Sequence, residues 1–283
     1  MSALAGIVWL ASFPKSGNTW FRILLANLAA GDSGPADINN LDERGGIASS
    51  RHEFEAATML DSGLLSHDQI DSLRPRVYEA LARDAGEQRW VKVHDAYTAT
   101  PLGEPMFGRN VADAVIYLVR DPRDVAVSLS HHNSSTIEEA IALMNAGDSA
   151  IGHSRKGLAP QLRQKLMGWS GHVTSWLNQT DVPVHLVRYE DMVSATARCL
   201  GGSLQFANRS ATQDEIERAI RNADFTELQR QEEDRGFGES RSRAAPFFRS
   251  GRVGGWRELL SAEQIHAIEE CHGVVMERLG YLL

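Results

Sequence analysis

The chain has 283 residues, 42% of them hydrophobic and 23% charged, a composition that fits a folded globular protein and excludes collagen-like, coiled-coil or disordered readings of the whole. Lys and Arg number 29 against 37 Asp and Glu, a net charge of −8. That excludes a general nucleic-acid binder, which needs a basic face, but leaves room for one small anion in a locally basic pocket.

Residues 3–13 are apolar, yet no Lys or Arg precedes them, and Lys15-Ser16-Gly17 stands where a leader peptide would carry small residues. No run reaches the roughly 18 apolar residues of a membrane span. Cys199 and Cys271 form no disulfide framework. These features together predict a cytoplasmic protein that needs no membrane, and they set no oligomeric state. The chain shows no fixed-period repeat and no linker, so residues 1–283 are expected to form a single domain.

Short apolar runs alternate with helical patterns. Gly6 to Ala11 is the first run, ended by Ser12-Phe13-Pro14; residues 89–93, 114–119 and 182–187 are three more. All are of strand length and rich in β-branched or aromatic residues, and near-continuous apolar strands suit a parallel sheet covered on both faces. Between them, 19–30 places Trp20, Ile23, Leu24 and Leu28 on one helical face. Asp121-Pro122 supplies an N-cap and a first-turn proline for a helix over 122–132. Residues 160–179 and 212–222 also read as helices. Ser261-Ala262-Glu263-Gln264 fits a capping box ahead of Ile265, Ile268, Val275, Met276 and Leu279. The predicted fold class is α/β, with a central, mostly parallel sheet flanked by helices and a P-loop-like first βα turn.

That first turn, Ser12 to Trp20, carries the sharpest pattern. A loop between a strand and a helix exposes backbone N–H groups beside a partial positive charge, an anion site. Gly17 permits close approach of the backbone, Ser16, Asn18 and Thr19 add polar side chains, and Lys15 adds a full charge. The competing reading is an ordinary turn whose Ser and Thr merely cap the helix. A Walker A loop does not fit, because its lysine comes last, before Ser or Thr, and its leading glycine is missing here.

Pro14-Lys15-Ser16-Gly17-Asn18-Thr19-Trp20 resembles the 5′-phosphosulfate loop of the sulfotransferases that use 3′-phosphoadenosine 5′-phosphosulfate (PAPS), whose usual form is PKSGTTW. Three further segments extend the resemblance in family order. Tyr117 to Ser128 is similar to the 3′-phosphate motif, which assigns Arg120 and Ser128 to that phosphate. Phe247 to Trp256 is similar to the RKGxxGDW loop and implies roles for Arg249, Ser250 and Gly251. Ser250 replaces its lysine and Gly255 its aspartate; the first change removes a positive charge, which implies either weaker 3′-phosphate binding or recruitment of Arg252. In Trp90 to Asp95, His94 stands where a KTH-type segment puts the general base, with Val93 in place of the threonine. A histidine taken alone is more often structural, and this chain has 10. Arg188-Tyr189-Glu190-Asp191 resembles a turn packed near the nucleotide. Phe225 matches a ring that stacks on adenine opposite Trp20, and it equally fits a core position on a helix face.

The resemblance thus implies an enzyme that moves a sulfuryl group from PAPS to a hydroxyl or phenol of a small-molecule acceptor, leaving adenosine 3′,5′-bisphosphate and requiring no metal. His94 would take the acceptor proton, Lys15 would neutralise the bridging oxygen, and Lys92 would assist from the same strand. The acceptor pocket is expected from 31–75, 95–108, 133–160 and 235–246; Tyr97, Phe107, Phe237 and Phe247 are candidate linings, though aromatics this sparse are more often core, and 235–246 is a candidate lid or a disordered stretch. Two rivals remain: a P-loop kinase or phosphotransferase using ATP and magnesium, and a non-catalytic nucleotide-binding protein of the same fold.

Overall fold

The structure, a computed structural model, describes residues 6–41, 46–152, 159–240 and 246–282. Along the chain run β1 (Ile7–Ser12), α1 (Asn18–Ala30), α2 (Arg51–Thr58), α3 (His67–Asp84), β2 (Arg89–Val93), β3 (Ala112–Val119), α4 (Pro122–Asn133) and α5 (Ile137–Asn145). Then come β4 (Ala150–Ile151), β5 (Gln164–Lys165), α6 (Gly168–Asn178), β6 (Val184–Arg188), α7 (Tyr189–Ser194), α8 (Thr196–Phe206), α9 (Gln213–Asn222), α10 (Phe225–Arg235), α11 (Trp256–Leu259) and α12 (Ala262–Arg278).

The α/β class and the central parallel sheet flanked by helices are as expected. Its strand order is β2-β1-β3-β6. β1 pairs with β2 in parallel, from Ile7 opposite Arg89 to Ala11 opposite Val93. All six residues of β1 are buried, the outcome anticipated from a run that is apolar on both faces. The capping signals also hold. Asp121 accepts from the Arg123 N–H ahead of a first-turn Pro122, and Ser261 forms its reciprocal capping box with Gln264; at α9, Thr212 and Glu215 add a further capping box.

One expected helix needs correction. Of residues 160–179, only Gly168–Asn178 is helical. Upstream, the Leu162 N–H bonds to the Ser49 carbonyl and β5 pairs antiparallel with β4. Met167 and Gly168 both take positive φ, 62° and 68°, which sets the start of the helix at Gly168. Conversely, α3 does not follow from the sequence pattern, because Pro75 lies inside it and its Asp71 and Arg74 are buried charges, both contrary to the usual helical pattern.

The chain divides into two compact units: Met1–Phe13, Arg44–Tyr117 and Ala146–His185 form the first, and Pro14–Glu43, Leu118–Asn145 and Leu186–Leu283 the second. The first unit is centred on rings. Phe107 stacks on Tyr78 at 5.8 Å and meets Trp176 at 5.0 Å and Trp9 at 5.4 Å. Phe107, a candidate pocket lining by sequence, is therefore a core residue, 1% exposed. Beside these rings Arg74 grips the Asp95 carboxylate with two bonds of 2.9 and 2.6 Å, an ion pair buried on both sides. In the second unit α1 packs on α9, while α4, α5 and α12 pack on one another. Residues 241–245, part of the candidate lid, lie outside the described residues, as do 42–45 and 153–158 from two of the stretches expected to shape the acceptor pocket.

Candidate functional site

The loop between β1 and α1 has the build of an anion cradle. Lys15 holds φ at 70° and Gly17 at 99°, two departures into the left-handed region on either side of Ser16. No side chain caps α1 and no acidic residue lies in its first turn, so the helix start keeps its partial positive charge for a ligand. The Ser16 hydroxyl is fully buried and has no hydrogen-bond partner. These observations run against the capping interpretation of the loop, because a buried, unpaired hydroxyl is costly unless a ligand satisfies it. The Lys15 ammonium lies 3.8 Å from the centre of the Phe247 ring.

Around this loop, within the same unit, several of the nucleotide candidates gather on Tyr189. A Cβ built on Gly17 would meet the Tyr189 ring at 2.7 Å. Trp20 approaches that ring edge-on at 6.0 Å, and the Arg120 guanidinium stacks over it at 4.4 Å. The Tyr189 hydroxyl donates to the Gly251 carbonyl at 3.0 Å, and a Cβ on Gly251 would touch the Phe225 ring at 3.2 Å. Five candidates from distant parts of the sequence thus share one ring as a neighbour or sit one contact away. Phe225 opens α10 and is half-buried, which takes it out of the core.

Ser128 is the half-buried position in a stretch of α4 that is otherwise buried from Pro122 to Ser130. Arg249 and Ser250 are exposed. The Arg249 charge reaches α4, where burial first and then Arg249 push the His131 pKa down. Arg120 donates to the Arg252 carbonyl at 2.8 Å, so the backbone of Arg252 is engaged.

His94 and Lys92 lie in the first unit, two residues apart, at and just beyond the end of β2, a spacing that puts them on one face of the strand. Lys92 is buried and His94 half-buried. The His94 Nδ1 lies 2.8 Å from the Ser12 carbonyl. A carbonyl can only accept, so Nδ1 carries the proton and Nε2 is the basic nitrogen of the neutral ring. Among the described residues, no three His, Cys, Asp or Glu cluster as a metal site would, and no helix is long and apolar enough to cross a membrane.

A family model for the sulfotransferase domain matches residues 6–280. The chain belongs to the sulfotransferase family. Its enzyme class follows from that membership. Curated relatives include a luciferin sulfotransferase of Photinus pyralis, 24% identical over 92% of this chain and 69% of its own length. Cytosolic sulfotransferase 17 of Arabidopsis thaliana is 24% identical over 97% of this chain and 75% of its own. Among solved structures, mouse sulfotransferase SULT7A1 complexed with PAP superposes with a TM-score of 0.60 at 20% identity, covering 98% of this chain and 85% of that one. Retinol dehydratase in complex with androsterone and inactive cofactor PAP gives 0.61 at 19% identity, over 95% and 80%. At these identities the two structures establish a shared fold.

This sulfotransferase also contains supports that its motifs did not announce. The Asp124 carboxylate accepts from the Gly254 and Trp256 N–H groups, at 2.7 and 3.0 Å, and so ties the Gly- and Arg-rich loop to α4. Glu239 accepts from the Thr19 hydroxyl at 3.3 Å and from Arg22 at 2.5 Å, beside the anion loop. Asp124 sits inside a motif quoted from the sequence, but its partner lies 130 residues away, and nothing local discloses it.

Proposed function

We propose that the chain transfers a sulfuryl group from PAPS to a hydroxyl or phenol of a small-molecule acceptor. The observation that carries this reading is the Tyr189-centred assembly beside a loop that holds a buried, unpaired Ser16 hydroxyl and an uncapped helix start. A nucleotide with a phosphate monoester and a phosphosulfate bears roughly four negative charges. Lys15 and the α1 N-terminus answer one end of it, and Arg120 and Arg249, with Ser128, Ser250 and Gly251, answer the other. Trp20 and Phe225, both half-buried rings, are assigned to the adenine. The residues fit the group.

Bound there, PAPS would supply the sulfuryl group, with adenosine 3′,5′-bisphosphate as the leaving product. The protein's part resembles that in phosphoryl transfer, namely positioning and stabilisation of developing charge. His94, with Nδ1 committed to the Ser12 carbonyl, accepts the acceptor's proton at Nε2. Lys15 holds its ammonium for the oxygen that joins sulfate to phosphate, and Lys92 adds a second charge from the strand that presents His94. The ligands named with the relatives, luciferin and androsterone, are small molecules, and an acceptor of that size is assigned here.

Calorimetry with adenosine 3′,5′-bisphosphate and with ATP plus magnesium, followed by a screen of phenols and alcohols with labelled PAPS, tests this reading. Binding of the bisphosphate but not of ATP, with label in at least one acceptor, supports it. Absence of heat with millimolar bisphosphate would falsify it.

A further inference from the structure

β2 ends at Val93, so the peptide carbonyls of His94 and Asp95 lie beyond the last paired strand residue and must find partners elsewhere. Both find them on α6. His172 Nε2 lies 3.1 Å from the His94 carbonyl, and Trp176 Nε1 donates to the Asp95 carbonyl at 3.0 Å. Residues 172 and 176 are four apart, hence neighbours on one helical face.

The protonation of this chain of groups follows from chemistry. The His94 carbonyl only accepts, so His172 Nε2 carries a proton. Full burial pushes the His172 pKa down to about 3, so the ring is neutral and its Nδ1 must accept. Tyr117, whose hydroxyl is 2.7 Å from that Nδ1, is then the donor, and burial raises its own pKa well above the ordinary value. The relay runs from the Tyr117 O–H to His172 Nδ1 and from His172 Nε2–H to the His94 carbonyl. On the other side Arg74 clamps the Asp95 carboxylate, which also accepts from the Lys165 N–H at 3.2 Å.

We propose that Tyr117, His172 and Trp176 are positioning residues that fix the peptide carrying His94, so that its ring, held by Ser12, presents Nε2 in one orientation. The inference rests on His94 acting as the base. A small displacement of a reacting group costs on the order of 100-fold in rate, whereas nucleotide affinity resides in the other unit's residues and should be spared.

The test compares His172→Asn, His172→Gln, Tyr117→Phe and His94→Ala in the full-length protein, measuring kcat, KM for donor and acceptor, and affinity for adenosine 3′,5′-bisphosphate. His172→Asn, which loses the donor at the Nε2 position, and Tyr117→Phe are expected to lower kcat about 10- to 100-fold with bisphosphate affinity within about twofold. His172→Gln, whose amide reaches that position, should recover most of the rate. If His94→Ala abolishes turnover while His172→Asn keeps full kcat, or if Gln is no better than Asn, the positioning role is wrong and the base assignment stands. Should His94→Ala retain full turnover, both fall. If His172→Asn does not fold, Tyr117→Phe, which deletes one oxygen, decides the matter by the same criteria.

Discussion

The Tyr189 ring occupies the space that any side chain at Gly17 would need, with 2.7 Å between a Cβ there and the ring carbon Cδ2. Since Gly17 also sits at φ 99°, Gly17→Ala meets strain and a clash together. The expected outcome is a loss of about 1–3 kcal/mol in stability and at least a tenfold weaker grip on adenosine 3′,5′-bisphosphate. Tyr189→Phe retains the ring and loses only the bond to the Gly251 carbonyl, a cost of about 1 kcal/mol. Thermal unfolding and calorimetry on the two variants check the ranking. Equal effects would show that the hydroxyl, and not the ring, is what matters.

Lys15 has an ammonium resting on Phe247 and a backbone in the left-handed region. Lys15→Met should reduce kcat by roughly 100- to 1,000-fold, the range seen when one donor to a developing negative charge is removed, while bisphosphate affinity changes only a few-fold. Single-turnover rates beside binding constants measure this. A parallel fall in both quantities would reduce Lys15 to an anchor.

Arg120 holds its guanidinium over the Tyr189 ring and donates to the Arg252 carbonyl, two features a lysine reproduces poorly even though it keeps the charge. Arg120→Lys is expected to raise the KM for PAPS about tenfold with kcat near the parent value. Arg249→Ala, at an exposed position, should have the smaller effect. Steady-state kinetics with varied PAPS separate these outcomes, and an unchanged KM for Arg120→Lys contradicts the 3′-phosphate assignment.

Acid should destabilise the fold through its buried histidines. Burial lowers His172 to about 3 and His272 to about 4, against about 6.5 in the unfolded chain. Between the folded and unfolded values the unfolded state binds the extra proton, so stability is complete above pH 6.5 and falls as pH drops through that window. Each such group contributes a slope of up to about 1.4 kcal/mol per pH unit. His272→Met, on the apolar face of α12, should flatten the dependence of Tm on pH between about 6.5 and 4 relative to the parent. An identical slope in the variant refutes the contribution of His272.

The amino-acid order alone settles the strand runs of β1, β2 and β3, the capped starts of α4 and α12, and the polar, glycine-containing turn after β1. These depend on side-chain periodicity and on bonds between residues three or fewer apart, which a linear reading captures. The helix expected from residue 160 fails for the opposite reason: Ser49, far away in the chain, and β4, which precedes it, compete for that backbone. Likewise, Tyr189 as the meeting point of Gly17, Arg120 and Gly251, Asp124 as the tie for Gly254, and His172 as the partner of the His94 carbonyl are products of folding. Each joins groups more than 60 residues apart, and only burial of the intervening core brings such groups within hydrogen-bonding or van der Waals range.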